Sequence, residues 1–269
     1  MNYPVHGARL AMPMSHALPR ILLRHPDYSA NLGRIADALF SKYPNLTMID
    51  IGANIGDTAA IIRKTLPIPI LCIDGDPTFF QLLKRNVRQW KDIELEHSYV
   101  GAKSGTIPAR MNSRDGSGHL TIDSHQQTDV KGLLDIIKLH PRFLSAKLLK
   151  LDTDGLDTII VKGAVNFLCA AQPAIYIEYD PFFFLRHDPS GFDVFECLRR
   201  AGYETALFFR NTGEIHAEVS LVDEESLHEL HEECSNQGGK RYFDICFFHR
   251  RDIDLSRAIR KAEFSRQSR

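Results

Sequence analysis

The stretch "TMIDIGANIGDTAAIIRK", residues 47–64, is apolar at its start, passes through small residues and continues with a helical spacing of apolar side chains. This order predicts a buried strand followed by a tight turn over Gly52, Asn54 and Gly56. A helix should then begin near Asp57. The first backbone N–H groups of such a helix have no partners and, together with the helix dipole, attract anionic groups. The turn therefore predicts a ligand-binding site.

Apolar runs and helical patterns alternate along most of the chain. The predicted strands are residues 47–51, 70–74, 93–100, 146–152, 174–179, 204–209 and 243–249. The predicted helices begin near Asp57, Thr78, Asp157 and Ser190. Near-continuous apolar strands that alternate with helices favour an α/β fold, with a mostly parallel sheet and helices on both faces. The last two apolar runs carry aromatic residues and no helix signal, so they are predicted to form a closing antiparallel pair.

The composition narrows the class of protein. The 269 residues are 43% hydrophobic and 25% charged, which is ordinary for a globular protein. A net charge of −1 gives no general attraction to nucleic acid, so no nucleic-acid partner is expected. The five cysteines are scattered without a C-x-x-C pair, which is typical of reduced thiols and predicts a cytoplasmic protein. We expect no signal peptide and no membrane span, because no apolar run reaches ~18 residues.

One polar, turn-rich segment, residues 102–129, interrupts the alternation between the third and fourth predicted strands. It has two interpretations. It is either a surface loop or hairpin, or a wall over the carboxyl edge of the sheet, where open α/β sheets bind ligands.

The turn and the second strand together indicate a nucleoside cofactor. Dinucleotide folds use G-x-G-x-x-G, and here Asn54 replaces the middle glycine that allows close approach of a pyrophosphate. A side-chain amide suits a ligand with a carboxylate and an amine. Asp74 ends the second strand ~20 residues beyond the turn, the distance at which an acid reaches a ribose diol. S-adenosylmethionine fits this combination, and NAD is the alternative.

Three segments resemble the FkbM-type methyltransferases, a class I S-adenosylmethionine-dependent family: "IDIGANIGD", "IDGDP" and "LLKLDTDGLDTIIVKGA". The family motif K-I-D-x-E-G-x-E is represented here by residues 150–157, with Asp154 and Asp157 in place of glutamates. "PAIYIEYDP" is similar to the family's fifth strand, with Glu178 at the acidic position. The resemblance implies a Rossmann-like, seven-stranded, mostly parallel sheet and methylation of a hydroxyl oxygen on a sugar or other natural product.

The resemblance also implies positions for the cofactor. The methionine end would lie over Gly52–Gly56, the ribose on Asp74, and the adenine between Gly75 and the end of the third strand, near His97–Tyr99. The residues expected to bind the cofactor are Asp50, Gly52, Asn54, Gly56, Asp74, Gly75 and Ser98. The acceptor is expected to be a small molecule or a glycan, and homo-oligomer formation is left open.

Carboxylates are the candidate catalytic groups. A sugar hydroxyl is a poor nucleophile, so methyl transfer to it calls for a base or a metal ion. Asp152, Asp154 and Glu178 end two neighbouring strands, where they could raise one another's pKa or hold a divalent cation. Alternatively, Asp152 and Asp157 cap the following helix. His97 is the other candidate base, although a lone histidine is more often structural.

The chain is predicted to hold one main domain. Residues 1–45 are expected to form an N-terminal helical cap, residues 46–250 the methyltransferase domain, and residues 251–269 a charged tail or helix. Two other functions stay open at this point: an NAD-dependent oxidoreductase, and a non-catalytic module that retains the cofactor site.

Overall fold

The turn after residue 51 lies at the carboxyl edge of a large mixed sheet. The computed structural model describes residues 1–114, 117–122, 125–235 and 242–267. The strands are β1 Asn2–Val5, β2 Ala8–Ala11, β3 Met48–Ile51, β4 Ile70–Asp74, β5 Ile93–His97, β6 Tyr99–Gly101, β7 Gly105–Ile107, β8 Ala109–Arg114, β9 Ser117–Ile122, β10 Thr128–Gly132, β11 Leu148–Leu151, β12 Ala174–Tyr179, β13 Tyr203–Arg210, β14 Ile215–Ser220 and β15 Phe243–His249. The α-helices are α1 Leu18–Arg24, α2 Ala30–Lys42, α3 Asp57–Arg63, α4 Pro77–Val87, α5 Leu133–Leu139, α6 Asp157–Gly163, α7 Val165–Ala171, α8 Pro181–Phe184, α9 Val194–Arg200, α10 Glu224–Ser235 and α11 Ile253–Gln267. Short 3-10 helices cover Pro141–Phe143, Gly191–Asp193 and Arg250–Asp252.

The central sheet has the strand order β14-β13-β15-β12-β11-β3-β4-β5. The five strands from β12 to β5 are parallel, whereas β15 is antiparallel to both of its neighbours, β12 and β13. The predicted α/β class and the closing antiparallel pair are confirmed. The strand order reverses between β3 and β11, and such a switch point is where open α/β sheets bind ligands.

The sheet is buried on both faces, as the apolar runs predicted. Alternate residues of β3 belong to opposite layers: Met48 packs in the layer of α2, α3 and α4, and Ile49 in the layer of α5, α6 and α7. In β11, Leu148 and Leu149 divide in the same way. Burying each such side chain contributes about 1.5–3 kcal/mol. This two-sided burial holds the strand ends, and thus the site, on a rigid frame.

The N-terminal segment holds more than the predicted helices. The helix expected over residues 31–43 is α2, but a hairpin, β1–β2, precedes it and no sequence pattern indicated it. The hairpin packs on α3 and α4 through its own apolar cluster, which includes Val5, Leu10 and Phe79. Asn86 of α4 secures it, because its amide both accepts from and donates to the backbone of Ala11. This segment therefore lies against the start of α3.

The edges of the fold differ in detail from the prediction. The strand β14 adds an eighth member to the predicted seven-stranded sheet. The polar segment forms a β8–β9 hairpin and contributes β7 and β10 to a small sheet with β6, which favours its interpretation as a surface hairpin. The C-terminal residues form the helix α11. None of the described helices has the length and apolarity needed to cross a membrane.

Candidate cofactor and acceptor site

A cavity of about 400 Å³ opens at the carboxyl ends of β3, β4, β11 and β12. Its size falls within the usual range for small-molecule sites, ~300–1,000 Å³. The predicted site residues that line it are Gly52, Asn54, Asp74, Gly75, Ser98, Asp152, Asp154 and Glu178. Asp50, Gly56 and His97, also predicted as site residues, are not among the described residues that line it. The described residues of segment 102–129 do not line it either.

The turn after β3 is left-handed at its three predicted positions. The φ angles of Gly52, Asn54 and Gly56 are +76°, +48° and +88°. A Cβ on Gly52 would lie 1.8 Å from the carbonyl oxygen of Asp152, so the ends of β3 and β11 touch through this glycine. A Cβ on Gly56 would instead meet Val87 at 3.0 Å. Gly56 thus serves the packing of α3 on α4, and the structure does not bring it to the cofactor.

Asp74 holds the turn in place. Its Oδ2 accepts a hydrogen bond from the backbone N–H of Asn54 at 2.8 Å, and its Oδ1 accepts one from Asp76 at 2.9 Å. Burial raises the pKa of Asp74 to about 7. Each carboxylate oxygen can accept a second hydrogen bond. Since Asp74 also lines the cavity, both of its oxygens can receive ligand hydroxyls without releasing the turn.

Asp76 has a different role from Asp74. It is the N-cap of α4, and its Oδ1 accepts from the backbone N–H groups of Thr78 at 2.7 Å and Phe79 at 3.0 Å. From the sequence, the position of Asp76 directly before Pro77 predicts that it caps the helix near Thr78, and the structure confirms this cap.

An aromatic ring covers the glycine that follows Asp74. A Cβ on Gly75 would lie 1.9 Å from Cδ1 of Tyr99, so only glycine allows the ring to approach so closely. Tyr99 and Ser98 line the cavity beside it. The Ser98 hydroxyl donates to Glu96. This corner offers a flat apolar surface next to an acid, which suits a base attached to a ribose.

His97 is directed away from this corner. It is exposed at the end of β5, and its ring stacks on Phe80 with the ring centroids 4.4 Å apart. Side chains alternate along a strand, so the residue beside the inward-facing Ser98 points elsewhere. The structure therefore does not bring His97 to the lining of the cavity, which favours its structural interpretation.

Asp50 also differs from its predicted position. It is fully buried beneath the turn, where its Oδ1 lies 3.3 Å from Nζ of Lys150. The same ammonium lies 3.2 Å from Oδ2 of Asp152 and donates to the carbonyl oxygen of Gly52 at 3.3 Å. Burial opposes the charge on Lys150, but Asp152 and Asp50 outweigh it and raise the pKa of Lys150. Asp50 acts through this ion pair, which ties β3 to β11, and not by touching the cavity.

Carboxylates occupy the other end of the cavity. The Asp152 side chain is 48% exposed there, and Asp154, with a φ of +53°, and Glu178 lie beside it. Burial and the neighbouring Asp152 raise the pKa of Asp154 to about 7. Burial, together with Asp152 and Asp154, raises the pKa of Glu178 well above its ordinary range. We call these three residues the acid end of the cavity, and within it Asp154 can exchange a proton near neutral pH.

Asp157 is the first residue of α6 and not its N-cap, which is Leu156 and makes no side-chain cap bond. The Asp157 carboxylate accepts from the backbone N–H groups of Thr153 at 3.2 Å and Gly155 at 3.3 Å, which closes the loop before α6. Asp152 makes no such contact among the described residues and pairs instead with Lys150. Asp157 is thus structural, while Asp152 stays available to a ligand.

Two residues near the site, Asp244 and His16, were not predicted from the sequence. Asp244 on β15 lies directly opposite Glu178 on β12, and burial raises its pKa to about 7. An acid inside the apolar run "FDICFFH" was the one signal that could have indicated it. His16 lies 3.4 Å from Oδ1 of Asn54 through its Nε2, and its Nδ1 accepts from the backbone of Leu18. No local pattern links His16 to the turn.

A comparison with protein families decides the assignment. The model of the methyltransferase FkbM domain matches residues 50–205, more than half of the chain. The chain belongs to the FkbM methyltransferase family. The match begins at Asp50 in β3, just before the glycine-rich turn, and includes every residue of the acid end. The resemblance stated from the sequence is thereby confirmed. No curated protein sequence matches the chain significantly.

Solved structures of methyltransferases resemble this FkbM-family chain in part. An FkbM methyltransferase from Methylobacillus flagellatus KT is 16% identical with a TM-score of 0.47, over 76% of this chain and 44% of the other. A geranyl diphosphate methyltransferase in complex with SAM is 8% identical with a TM-score of 0.45, over 86% and 89%. Fibrillarin from Aeropyrum pernix, with natively bound S-adenosyl-L-methionine, is 11% identical with a TM-score of 0.39, over 75% and 66%. The chain thus spans less than half the length of the M. flagellatus protein.

Among the residues that the structure describes, no group of three histidine, cysteine, aspartate or glutamate side chains converges closely enough to hold a metal ion. Of the three carboxylates of the acid end, that of Asp152 pairs with the ammonium of Lys150.

Proposed function

We propose that this chain transfers a methyl group from S-adenosylmethionine to a hydroxyl oxygen of a sugar or another small-molecule acceptor. One observation carries the proposal: a single cavity joins a nucleoside-like corner, at Asp74, Gly75 and Tyr99, to an acid end with carboxylates of raised pKa. The turn at Gly52 lies between them. A donor bound to the corner and the turn would direct its reactive end toward the carboxylates.

The residues present fit the cofactor. Asp74 offers carboxylate oxygens to the ribose hydroxyls, and Tyr99 over Gly75 offers an aromatic face to the adenine. Asn54, held by His16 through its side-chain oxygen, stands at the start of α3, where an amino-acid carboxylate would find donors. When bound, S-adenosylmethionine supplies a methyl group that its sulfonium sulfur has already activated. Family membership favours this cofactor over NAD.

The chain's own contribution to the chemistry is to orient the acceptor and remove its proton. The acceptor hydroxyl would lie against the acid end, where Asp152 is the exposed carboxylate. A base positioned at the acceptor hydroxyl contributes about 10²–10⁴ in rate. Asp154, with a pKa of about 7, and Glu178 are placed to share the proton. Lys150 keeps Asp152 oriented from below.

A methyl-transfer assay tests this function. S-adenosylmethionine with a labelled methyl group is incubated with the chain and a panel of sugars and hydroxylated natural products. We expect label on the oxygen of at least one free-hydroxyl acceptor and none on the same acceptor with that hydroxyl blocked. If the chain binds S-adenosylmethionine but labels nothing in the panel, a non-catalytic module becomes the better account. Labelled nitrogen or carbon would contradict O-methylation.

A further inference from the structure

A separate cavity of about 410 Å³ adjoins the cofactor cleft. The two share the lining residues Ala17, Ile21, Tyr28 and Tyr242. The part that is not shared is lined by Arg20, Arg24 and His25 at α1 and by Asn211 and Thr212 in the turn between β13 and β14. We call it the α1 cavity. Tyr28 and Tyr242 also line a small cavity together with Asp152 and Glu178, so the shared wall lies beside the acid end of the cleft.

The α1 cavity carries positive charge without a matching negative charge. Arg20 and Arg24 are four residues apart on α1, so their guanidinium groups lie on one face of the helix. Neither forms an ion pair with any carboxylate in the described part of the chain. Like charges at this spacing repel each other, and an anion between them would relieve that repulsion. Arginine is also the side chain best shaped to bind a phosphate or a carboxylate with two parallel hydrogen bonds.

A polar group on the opposite wall is also without a partner. The hydroxyl oxygen of Thr212 is buried, and among the described residues nothing accepts from it or donates to it. Buried hydroxyls are normally hydrogen-bonded, and exceptions often mark a position where a ligand or water completes the set. A hydroxyl without a partner in the described part of the chain thus belongs to a residue that lines the same cavity as the two arginines.

The two adjoining cavities carry opposite charges. The cleft ends in carboxylates suited to a hydroxyl, while the α1 cavity presents guanidinium groups suited to an anion, with Tyr28 and Tyr242 between them. We propose that the acceptor carries an anionic group, a phosphate or a carboxylate, which binds Arg20 and Arg24 in the α1 cavity while its hydroxyl lies at the acid end. This rests on the proposed function for the position of the hydroxyl, but the anion site itself does not depend on it.

The test compares three probes: glucose 6-phosphate, glucuronate and uncharged methyl glucoside. Each is titrated calorimetrically into the full chain, with and without S-adenosylhomocysteine. We expect at least one anionic sugar to bind more tightly than methyl glucoside. The double variant Arg20→Ala/Arg24→Ala should weaken that binding by about tenfold or more, as expected for the loss of charge-assisted hydrogen bonds. The probe that binds more tightly identifies the anion as phosphate or carboxylate.

Arg9→Ala is the matched control, because Arg9 is an exposed arginine of the same N-terminal segment that lines neither cavity. It should leave the affinity for the anionic sugar unchanged, and circular dichroism should show that all variants are folded. The proposal is overturned if S-adenosylmethionine binds but neither anionic sugar does, or if Arg20→Ala/Arg24→Ala binds the anionic sugar as tightly as the parent. Arginine-dependent anion binding in a chain that does not bind S-adenosylmethionine would leave the anion site standing and contradict the proposed function instead.

Discussion

Oδ2 of Asp74 accepts a hydrogen bond from the backbone N–H of Asn54 at 2.8 Å. The acid that ends β4 therefore fixes the glycine-rich turn that follows β3. Its other oxygen accepts from Asp76, so the carboxylate joins both loops on this side of the cleft. In the proposed complex with S-adenosylmethionine, this side chain would couple the ribose and amino-acid subsites.

This coupling makes Asp74 the most sensitive cofactor residue. Asp74→Ala would remove the acceptors for the ribose hydroxyls and release the turn at Asn54. Hydrogen bonds to a charged group are worth about 1.5–3 kcal/mol each, part of which water recovers. We expect a loss of about 2–4 kcal/mol, roughly 30- to 1000-fold in S-adenosylmethionine affinity by titration.

Asp76→Ala is the control for Asp74→Ala. It removes the N-cap of α4, which costs about 1 kcal/mol of stability, but leaves the cofactor acceptors in place. Cofactor affinity should change far less, with circular dichroism confirming the fold. The ribose assignment fails if Asp76→Ala is the variant that loses binding and Asp74→Ala is not.

The contact at Gly52 predicts a folding defect. In Gly52→Ala the new Cβ would lie 1.8 Å from the carbonyl oxygen of Asp152, so the ends of β3 and β11 would be forced apart. Gly7→Ala provides the comparison, since Gly7 also has a positive φ, +92°, but has no atom within 4 Å of a new Cβ. Left-handed strain alone costs about 1–2 kcal/mol. Denaturant unfolding should show a clearly greater loss for Gly52→Ala, and equal losses would contradict the contact.

Removing the exposed carboxylate of the acid end should affect rate more than binding. Asp152→Asn keeps the shape of the side chain but removes a base, so turnover should fall by about 10²–10⁴. The affinity for S-adenosylmethionine should stay close to that of the parent. In Asp157→Asn, by contrast, the loop before α6 loses its acceptor, and thermal stability should fall.

Unchanged turnover in Asp152→Asn would indicate that Asp152 has a structural role and is not the base. Loss of parent activity in EDTA, restored by Mg²⁺, would make the carboxylates metal ligands.

The buried acids give stability a defined pH dependence. Burial raises the pKa of Asp244 to about 7, from an ordinary value near ~4. The folded state therefore favours the protonated form, and this contribution to stability is full below about pH 4 and is lost as the pH rises to about 7. Asp244→Asn removes the contribution of this carboxyl group to the pH dependence of stability. Between pH 5.5 and pH 7.5, the melting temperature of the parent should fall relative to that of Asp244→Asn. A constant difference between the two would contradict the raised pKa.

The features that sequence analysis predicted depend on local pattern. The apolar run of β3, the turn at Gly52 and the cap at Asp76 each follow from a few consecutive residues. Their geometry is set by backbone conformation and by burial of every residue in the strand. The family motif located Asp152 and Glu178 in the same way, because both follow buried parallel strands that end at one edge.

The features that escaped prediction depend on contacts between distant segments. Asp244 joins the carboxylates because β15 pairs antiparallel with β12, and His16 reaches the turn because the β1–β2 hairpin packs on α4. The ion pair of Asp50 with Lys150 requires the register of β3 against β11. No spacing within one segment encodes such pairings, and His97 was misplaced because one step along a strand reverses the side chain's direction.

Calorimetric titration of the purified chain with S-adenosylmethionine, in parallel with NAD, tests the central claim most directly. The account predicts saturable binding of one S-adenosylmethionine per chain, weakened strongly in Asp74→Ala, and no measurable binding of NAD. Saturable binding of NAD without binding of S-adenosylmethionine would contradict it.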